Sequence, residues 1–194
     1  MTVARRDATA AQIKAASNSL RLRIVRLCSD REWTNKELAD RLERDPATIL
    51  HHLRVLVDAE LIEPVGVRQG VSGAYEKPYR STGLSWQLSF GDAAHVADTE
   101  DTSGMPPMLI AFRDELAEAG PDSIADLSRF HLHLDEEELA VFLSRLQNLV
   151  DEYVASDPER RARGAPDHGG MFALHRLAEP TDHDDSDAGA SDAD

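Results

Sequence analysis

Residues 33–62 decide the fold, and they read WTNKELADRLERDPATILHHLRVLVDAELI. Thr34 and Glu37 lie three residues apart and predict a capping box, in which each side chain accepts the other residue's free backbone N–H. Asp45 followed by Pro46 predicts a second helix start, because aspartate caps free N–H groups and proline loses no hydrogen bond at the first helical position. The stretch therefore predicts two short helices joined by a tight turn.

The second helix has two faces of different character. Ile49, Leu53 and Leu56 fall at i, i+4 and i+7, the spacing of a buried face. Successive residues turn by about 100°, so other side chains point outward or to the flanks. These are Ala47, His51 and Arg54 opposite the buried face, with Thr48, Leu50 and Val55 beside them. This geometry is typical of a helix-turn-helix, whose second helix enters the DNA major groove.

At these residues the chain resembles the ArsR-like winged-helix transcription regulators. The resemblance rests on TNKELADRL at 34–42 and DPATILHHLRVLVDAELIEP at 45–64, and it covers residues 10–85. It implies that a first helix at 9–17 helps to build a dimer interface. Family members usually carry serine where this chain has Leu50, so an apolar contact to a thymine methyl becomes the expectation there.

A β-hairpin is predicted after the two helices. Residues 65–68 and 74–82 read as strands, and the turn at 69–73 contains two glycines that allow positive φ. This hairpin would be the wing. Arg68, Gln69 and Arg80 are its candidate contacts to phosphate or the minor groove.

The charge of the chain is unevenly distributed. The net charge is −15, but residues 1–82 hold 14 Lys and Arg against 11 Asp and Glu, a net of +3, whereas residues 83–194 hold 7 against 25, a net of −18. The predicted DNA-binding part is therefore mildly basic. The N-terminus does not read as a secretory signal, and no apolar run approaches the roughly 18 residues that span a bilayer. These features predict a cytoplasmic protein without membrane contact.

The second half of the chain predicts a linker at 86–107, a smaller unit at 108–177 and a disordered acidic tail at 178–194. A helix opens at Pro106 and Pro107, with Leu109, Phe112 and Leu116 on one face. Alternating apolar residues predict strands near 130–134 and 171–177, on either side of a helix at 135–156. That helix has a continuous apolar stripe: Leu139, Phe142, Leu143, Leu146, Leu149, Val150 and Tyr153. The flanking strands, a partner subunit or a small molecule would cover it.

Catalytic and metal chemistry find little support in the sequence. Cys28 is the one cysteine, and its position on an apolar stripe favours a core residue. The late histidines are widely spaced and do not predict a metal site. No phosphate loop or nucleophile elbow is present. We therefore expect no enzyme activity, no cofactor and no metal.

The predicted fold is mainly α with a small β-hairpin wing: a winged helix-turn-helix followed by a C-terminal strand-helix-strand unit for dimerisation or sensing. The predicted function is a homodimeric repressor that binds an inverted repeat in double-stranded DNA, with a small-molecule effector as a second partner. The alternative is a winged-helix module that binds another protein without sequence-specific DNA binding.

Overall fold

The computed structural model describes residues 6–69, 73, 75–89 and 104–176. The helices in this part of the chain are α1 (Ala10–Ala16), α2 (Ser19–Asp30), α3 (Asn35–Leu42), α4 (Pro46–Asp58), α5 (Pro107–Ala119), α6 (Glu136–Ala155) and α7 (Asp157–Ala162). The strands are β1 (Arg6–Asp7), β2 (Trp33–Thr34), β3 (Ile62–Pro64), β4 (Arg68–Gln69), β5 (Tyr75–Glu76), β6 (Pro78–Ser81) and β7 (Leu88–Ser89).

Side-chain caps fix where the helices begin. The backbone N–H of Thr34 donates to the Glu37 carboxylate at 2.7 Å, and the N–H of Glu37 donates to the Thr34 hydroxyl at 3.2 Å. At the start of α4, the Asp45 carboxylate accepts from the N–H of Ala47 at 2.7 Å. The starts of α3 and α4 that the sequence predicts are therefore confirmed.

The core lies between α2, α3, α4 and the strands beside them. Ile49, Leu53 and Leu56 are completely buried there, as their spacing predicts. Cys28 is buried in the same cluster, and burial raises the pKa of its thiol to about 12. The thiol therefore stays protonated and unreactive at neutral pH.

A hairpin follows the core, but its strands differ from the prediction: only Arg68 of the predicted strand at 65–68 lies in a strand, and the predicted strand at 74–82 is interrupted at Lys77. β6 lies between β2 and β3 in an antiparallel sheet, with Glu63 opposite Arg80. Farther out, β4 pairs with β5, which places Arg68 opposite Glu76. Gly66 separates β3 from β4 with a φ of 114°, a conformation that suits glycine. The turn residues 70–72 and 74 lie outside the described part of the chain.

Part of the predicted linker belongs to the winged helix. Leu88 is buried in the core, and its strand β7 pairs in parallel with β1. Strand β1 consists of Arg6 and Asp7, for which the sequence predicts no secondary structure. Residues 90–103 of the predicted linker lie outside the described residues, as does the predicted tail at 178–194.

Helix α5 packs against the winged helix, on α2. Ile110 and Ala111 are its buried residues after Pro107, whereas the predicted face of Leu109, Phe112 and Leu116 is only partly buried. The Glu118 carboxylate forms an ion pair with Arg23 of α2 and a second, at 3.0 Å, with Arg41 of α3. One carboxylate of α5 therefore bridges two helices of the winged-helix core.

The two strands predicted in the C-terminal half are wrong. Residues 130–134 and 171–176 are irregular, whereas the helix between them is confirmed as α6. An alternating pattern forms a strand only where another strand can accept its backbone hydrogen bonds. Here the segments instead place the rings of Phe130 and Phe172 against Phe142, with centroid distances of 6.5 and 6.0 Å.

The C-terminal segment also contacts the end of α2. The Arg161 guanidinium donates to the carbonyls of Ser29 and Asp30 at 3.2 Å, and Arg26 pairs with Asp167 at 2.9 Å. In the described part of the chain, no helix is both long and apolar enough to cross a membrane.

Candidate nucleic-acid interface

The outward face of α4 carries five of the eight residues that the sequence predicts at the DNA. Four are exposed and one, Leu50, is partly exposed. The exposed four are Ala47, Thr48, His51 and Arg54. They occupy two turns of one helix, and the opposite face of that helix is anchored in the core. The structure therefore presents a short row of small, hydroxyl, apolar, imidazole and guanidinium groups on a rigid support.

The turn before α4 sets the direction of this helix. Glu43 adopts the left-handed conformation with a φ of 53° and a ψ of 47°, and the N–H of Arg44 donates to the carbonyl of Ala39 at 3.0 Å. Left-handed backbone is uncommon for a residue other than glycine. The sequence gives no signal of this conformation, because a glycine or asparagine would be the usual residue at that position.

The adjacent histidines differ in their surroundings. His52 is buried and His51 is exposed, and their rings lie 5.5 Å apart in an edge-on arrangement. Neighbouring residues on a helix point about 100° apart, so only one of the two can face a ligand outside the protein. His51 is the one available to a base edge.

Arg54 differs from the wing arginines in its ionic partners. Within the described residues, no carboxylate lies within ion-pair distance of Arg54, which is exposed. It lies close enough to β6 to act on Tyr79, whose pKa is raised by burial and lowered in part by the Arg54 charge. Its guanidinium therefore remains available to an external anion such as a phosphate.

The wing arginines are both paired with carboxylates. Arg68 lies 3.0 Å from Glu37 of α3 and 3.9 Å from Glu76 of the neighbouring strand. Arg80 lies 2.8 Å from Glu63, its cross-strand neighbour at the base of the hairpin. The amide of Gln69 donates to the carbonyl of Gly73 at 3.4 Å. All three predicted wing contacts are thus held by groups of the protein itself.

Glu37 has a second role that its position in the sequence does not indicate. Burial raises its pKa, but the hydrogen bonds from Thr34 and the charges of Arg68 and Arg31 outweigh that effect, so its pKa lies below the ordinary value. Glu37 is therefore a stable anion that caps α3 and also holds Arg68 of the wing. Thirty-one positions separate Glu37 from Arg68, too many for a local sequence pattern to indicate.

The described residues contain no candidate metal-binding site. Among residues 6–69, 73, 75–89 and 104–176, no group of three or more His, Cys, Asp or Glu could hold a metal ion. The exposed face of α4 and the wing can instead supply hydrogen bonds, apolar contacts and positive charge.

A comparison with known protein families matches the region that contains α3 and α4. Residues 16–65 match the family model of a helix-turn-helix domain, and this range runs from Ala16, the last residue of α1, to Val65, just after β3. No curated protein matches the chain. The protein therefore contains a helix-turn-helix domain, and this domain indicates a DNA-binding role in transcription regulation.

Proposed function

We propose that the protein is an ArsR-like regulator that acts as a homodimeric repressor on an inverted repeat in double-stranded DNA. The observation that carries the proposal is the outward face of α4, whose five candidate residues are accessible while the helix itself is capped and anchored. A helix of this kind enters the major groove, and a two-fold dimer presents two of them about 34 Å apart.

Each group on α4 suits a particular part of the DNA. Thr48 and His51 can exchange hydrogen bonds with base edges, and Leu50 can contact a thymine methyl. Ala47 is small enough to let the start of the helix approach the groove. Arg54 lies beyond these residues, and its exposed guanidinium, which has no carboxylate partner among the described residues, suits a phosphate oxygen.

The wing would bind DNA through Arg68, which would exchange the Glu37 carboxylate for a DNA phosphate. Arg68 is held by Glu37 in the free protein, and a DNA phosphate would compete for the same guanidinium. Gln69 and Arg80 complete the proposed wing contacts. Because exposed ion pairs contribute little stability, about 0 to 1 kcal/mol, the exchange costs the protein little.

Replacing Arg68 with alanine tests this wing contact. We expect weaker binding to every DNA sequence and a salt dependence whose slope falls by about one counterion, because one phosphate contact is lost. The measurement is the dissociation constant at several salt concentrations. The matched control is Arg113→Ala, since Arg113 is an exposed arginine of α5 that pairs with its neighbour Asp114. An unchanged slope in Arg68→Ala would remove this residue from the proposed interface.

The alternative is a winged-helix module that binds another protein. The net charge of −18 in residues 83–194 favours it, because a strongly acidic half repels DNA. A protein partner whose binding survives substitution of Arg54 and Arg68, together with DNA binding that shows no sequence preference, would support this alternative over the repressor.

A small-molecule effector and a cytoplasmic location remain predictions from the sequence. For the effector, the described residues offer a cavity of about 890 Å³ between the end of α2 and the C-terminal helices. Val150 and Val154 supply apolar walls, and Arg26 and Arg161 supply charge at its edge. Its position beside α2 is where a ligand could act on the helix-turn-helix core.

A further inference from the structure

The wing carries the exposed apolar side chains of the winged helix. Among those of residues 6–88 whose side chains the structure describes, the large apolar residues are buried or half-buried with two exceptions. Val67 keeps 67% of its surface exposed, and Tyr75 keeps 82%. A single exposed apolar residue is ordinary, but Val67 directly precedes β4 and Tyr75 belongs to its partner strand β5. Apolar side chains that stand together in water among polar residues are typical of an interaction surface.

The pairing of β4 with β5 gives the wing two faces. Residues that oppose each other across two antiparallel strands lie on the same face, and the next pair along the strands lies on the other face. Arg68 opposes Glu76, and the ion pair of Arg68 with Glu37 at 3.0 Å shows that this face is turned toward α3. Gln69 and Tyr75 oppose each other on the second face. We call this second face, formed by Gln69 and Tyr75, the outer face of the wing.

The ring of Tyr75 is available for contacts outside the chain. Its side chain makes no hydrogen bond and no aromatic or cation–π contact with the described residues. By contrast, Tyr79 of β6 is buried, and the Lys77 ammonium lies 5.9 Å from the centre of its ring. Pairing with Gln69 fixes the backbone of Tyr75, and a tyrosine side chain has only two torsions to lose on binding. Tyr75 therefore offers a large amphipathic surface at a low entropic cost.

The outer face lies beside the residues that are proposed to bind DNA. Arg54, on the outward face of α4, lies close enough to β6 to act on Tyr79, whose pKa is raised by burial and lowered in part by the Arg54 charge. Tyr75 precedes Tyr79 by four positions, and four extended residues span at most about 14 Å. The major groove is about 12 Å wide, so the wing can reach the adjacent minor groove when α4 lies in the major groove.

The chemistry of the outer face suits the wall of the minor groove rather than its phosphates. Gln69 and Tyr75 are both uncharged, whereas the charged pair of Arg68 and Glu76 lies on the other face. Deoxyribose rings form the walls of the minor groove, and proteins that enter this groove often insert apolar side chains there. The Tyr75 hydroxyl can also bond a sugar or phosphate oxygen, and the Gln69 amide can donate to the base acceptors at the floor of the groove.

We propose that the Tyr75 ring packs against the deoxyribose wall of the minor groove, next to the major groove that α4 enters. The contact is uncharged, so it strengthens binding without releasing counterions. The wing would therefore hold DNA in two ways, ionically through Arg68 and by apolar packing through Tyr75. The inference rests on the proposed DNA-binding function and adds a contact residue that this function does not itself require.

The variants Tyr75→Ala and Tyr75→Phe test this contact in the full-length chain. The probe is a pool of fluorescein-labelled duplexes of random sequence, and anisotropy gives the dissociation constant between about 50 and 200 mM salt. We expect Tyr75→Ala to bind about 10-fold more weakly at every salt concentration with an unchanged slope, because an apolar contact is lost and no charge is removed. Tyr75→Phe keeps the ring and should stay within about threefold of the wild type. The control Tyr153→Ala removes a tyrosine of α6 that is 60% exposed, and it should bind as the wild type does.

A second pool, in which inosine replaces guanine, identifies the groove that Tyr75 contacts. The N2 amino group of guanine stands in the minor groove, so inosine removes an obstacle there and leaves the hydrogen-bonding pattern of the major groove unchanged. We expect the wild type to bind the inosine pool about threefold more tightly than the guanine pool. Tyr75→Ala should lose this gain, because the side chain that profits from the wider access is absent.

Three results would overturn the inference: wild-type affinity in Tyr75→Ala, an equal loss in Tyr75→Ala and Tyr75→Phe, or a gain with inosine that Tyr75→Ala retains in full. Thermal unfolding shows whether each variant keeps its fold, which the exposure of Tyr75 predicts. If the wild type binds the pool and only the Tyr75 results fail, the proposed function stands and the outer face is left to a protein partner. If the wild type does not bind DNA, the proposed function is wrong and the inference is wrong with it.

Discussion

Replacing Leu53 with alanine is expected to lower the free energy of unfolding by about 2 to 5 kcal/mol, the range observed for leucine truncations in cores. Leu53 is completely buried on the inner face of α4, between Ile49 and Leu56 of the same core cluster. The truncation removes apolar contacts and leaves a cavity that a close-packed core fills only in part. A domain is stable by only about 5 to 15 kcal/mol, so this loss is a large share of the total.

Urea denaturation followed by far-ultraviolet circular dichroism measures this effect. The control is Leu127→Ala, which shortens a leucine that is 84% exposed and should change the free energy of unfolding by no more than about 0.5 kcal/mol. A loss below about 1 kcal/mol in Leu53→Ala would contradict the account of the α4 core, because a cost that small is usual at the surface rather than in a core.

The double variant His51→Ala/Arg54→Ala should lower affinity for a specific DNA site by about 100-fold. Each well-placed contact to a base or phosphate contributes about 1 to 3 kcal/mol, and two such contacts are lost. Both side chains are exposed, so the melting temperature should stay close to that of the wild type. The measurement is fluorescence anisotropy with labelled duplex at fixed salt.

The Arg113→Ala variant serves as the control here too, since it removes a positive charge from α5 and leaves α4 intact. Near-wild-type affinity in the double variant, with an unchanged melting temperature, would mean that this face of α4 does not contact DNA. The proposed function would then lose the observation that carries it.

The features that the sequence predicted well depend on residues close together in the chain. The caps at Thr34 and Asp45 need only the next two or three residues, and the buried face of α4 follows from helical spacing. The accessible row on α4 could be predicted for the same reason, because a helix with one anchored face must present the other. The hairpin followed from its strand pattern and the glycines of its turn.

The features that the sequence did not predict depend on contacts between distant residues. The pairing of Arg68 with Glu37 and the bridge from Glu118 to Arg23 and Arg41 join segments whose approach is set by packing. The two strands that were wrongly predicted near 130–134 and 171–177 also reflect contacts between distant residues. The alternating pattern around Phe130 is real, but no strand among the described residues pairs with it, and the segment instead makes an aromatic contact with Phe142.

The most direct test of the central claim is selection of bound fragments from sheared genomic DNA, at a fixed salt concentration of about 100 mM because phosphate contacts depend on salt. The proposed dimer predicts recovery of an inverted repeat whose half-sites lie one helical turn, about 34 Å, apart. Recovery of fragments without a shared motif, from wild-type protein that is folded and dimeric, would contradict sequence-specific regulation by α4.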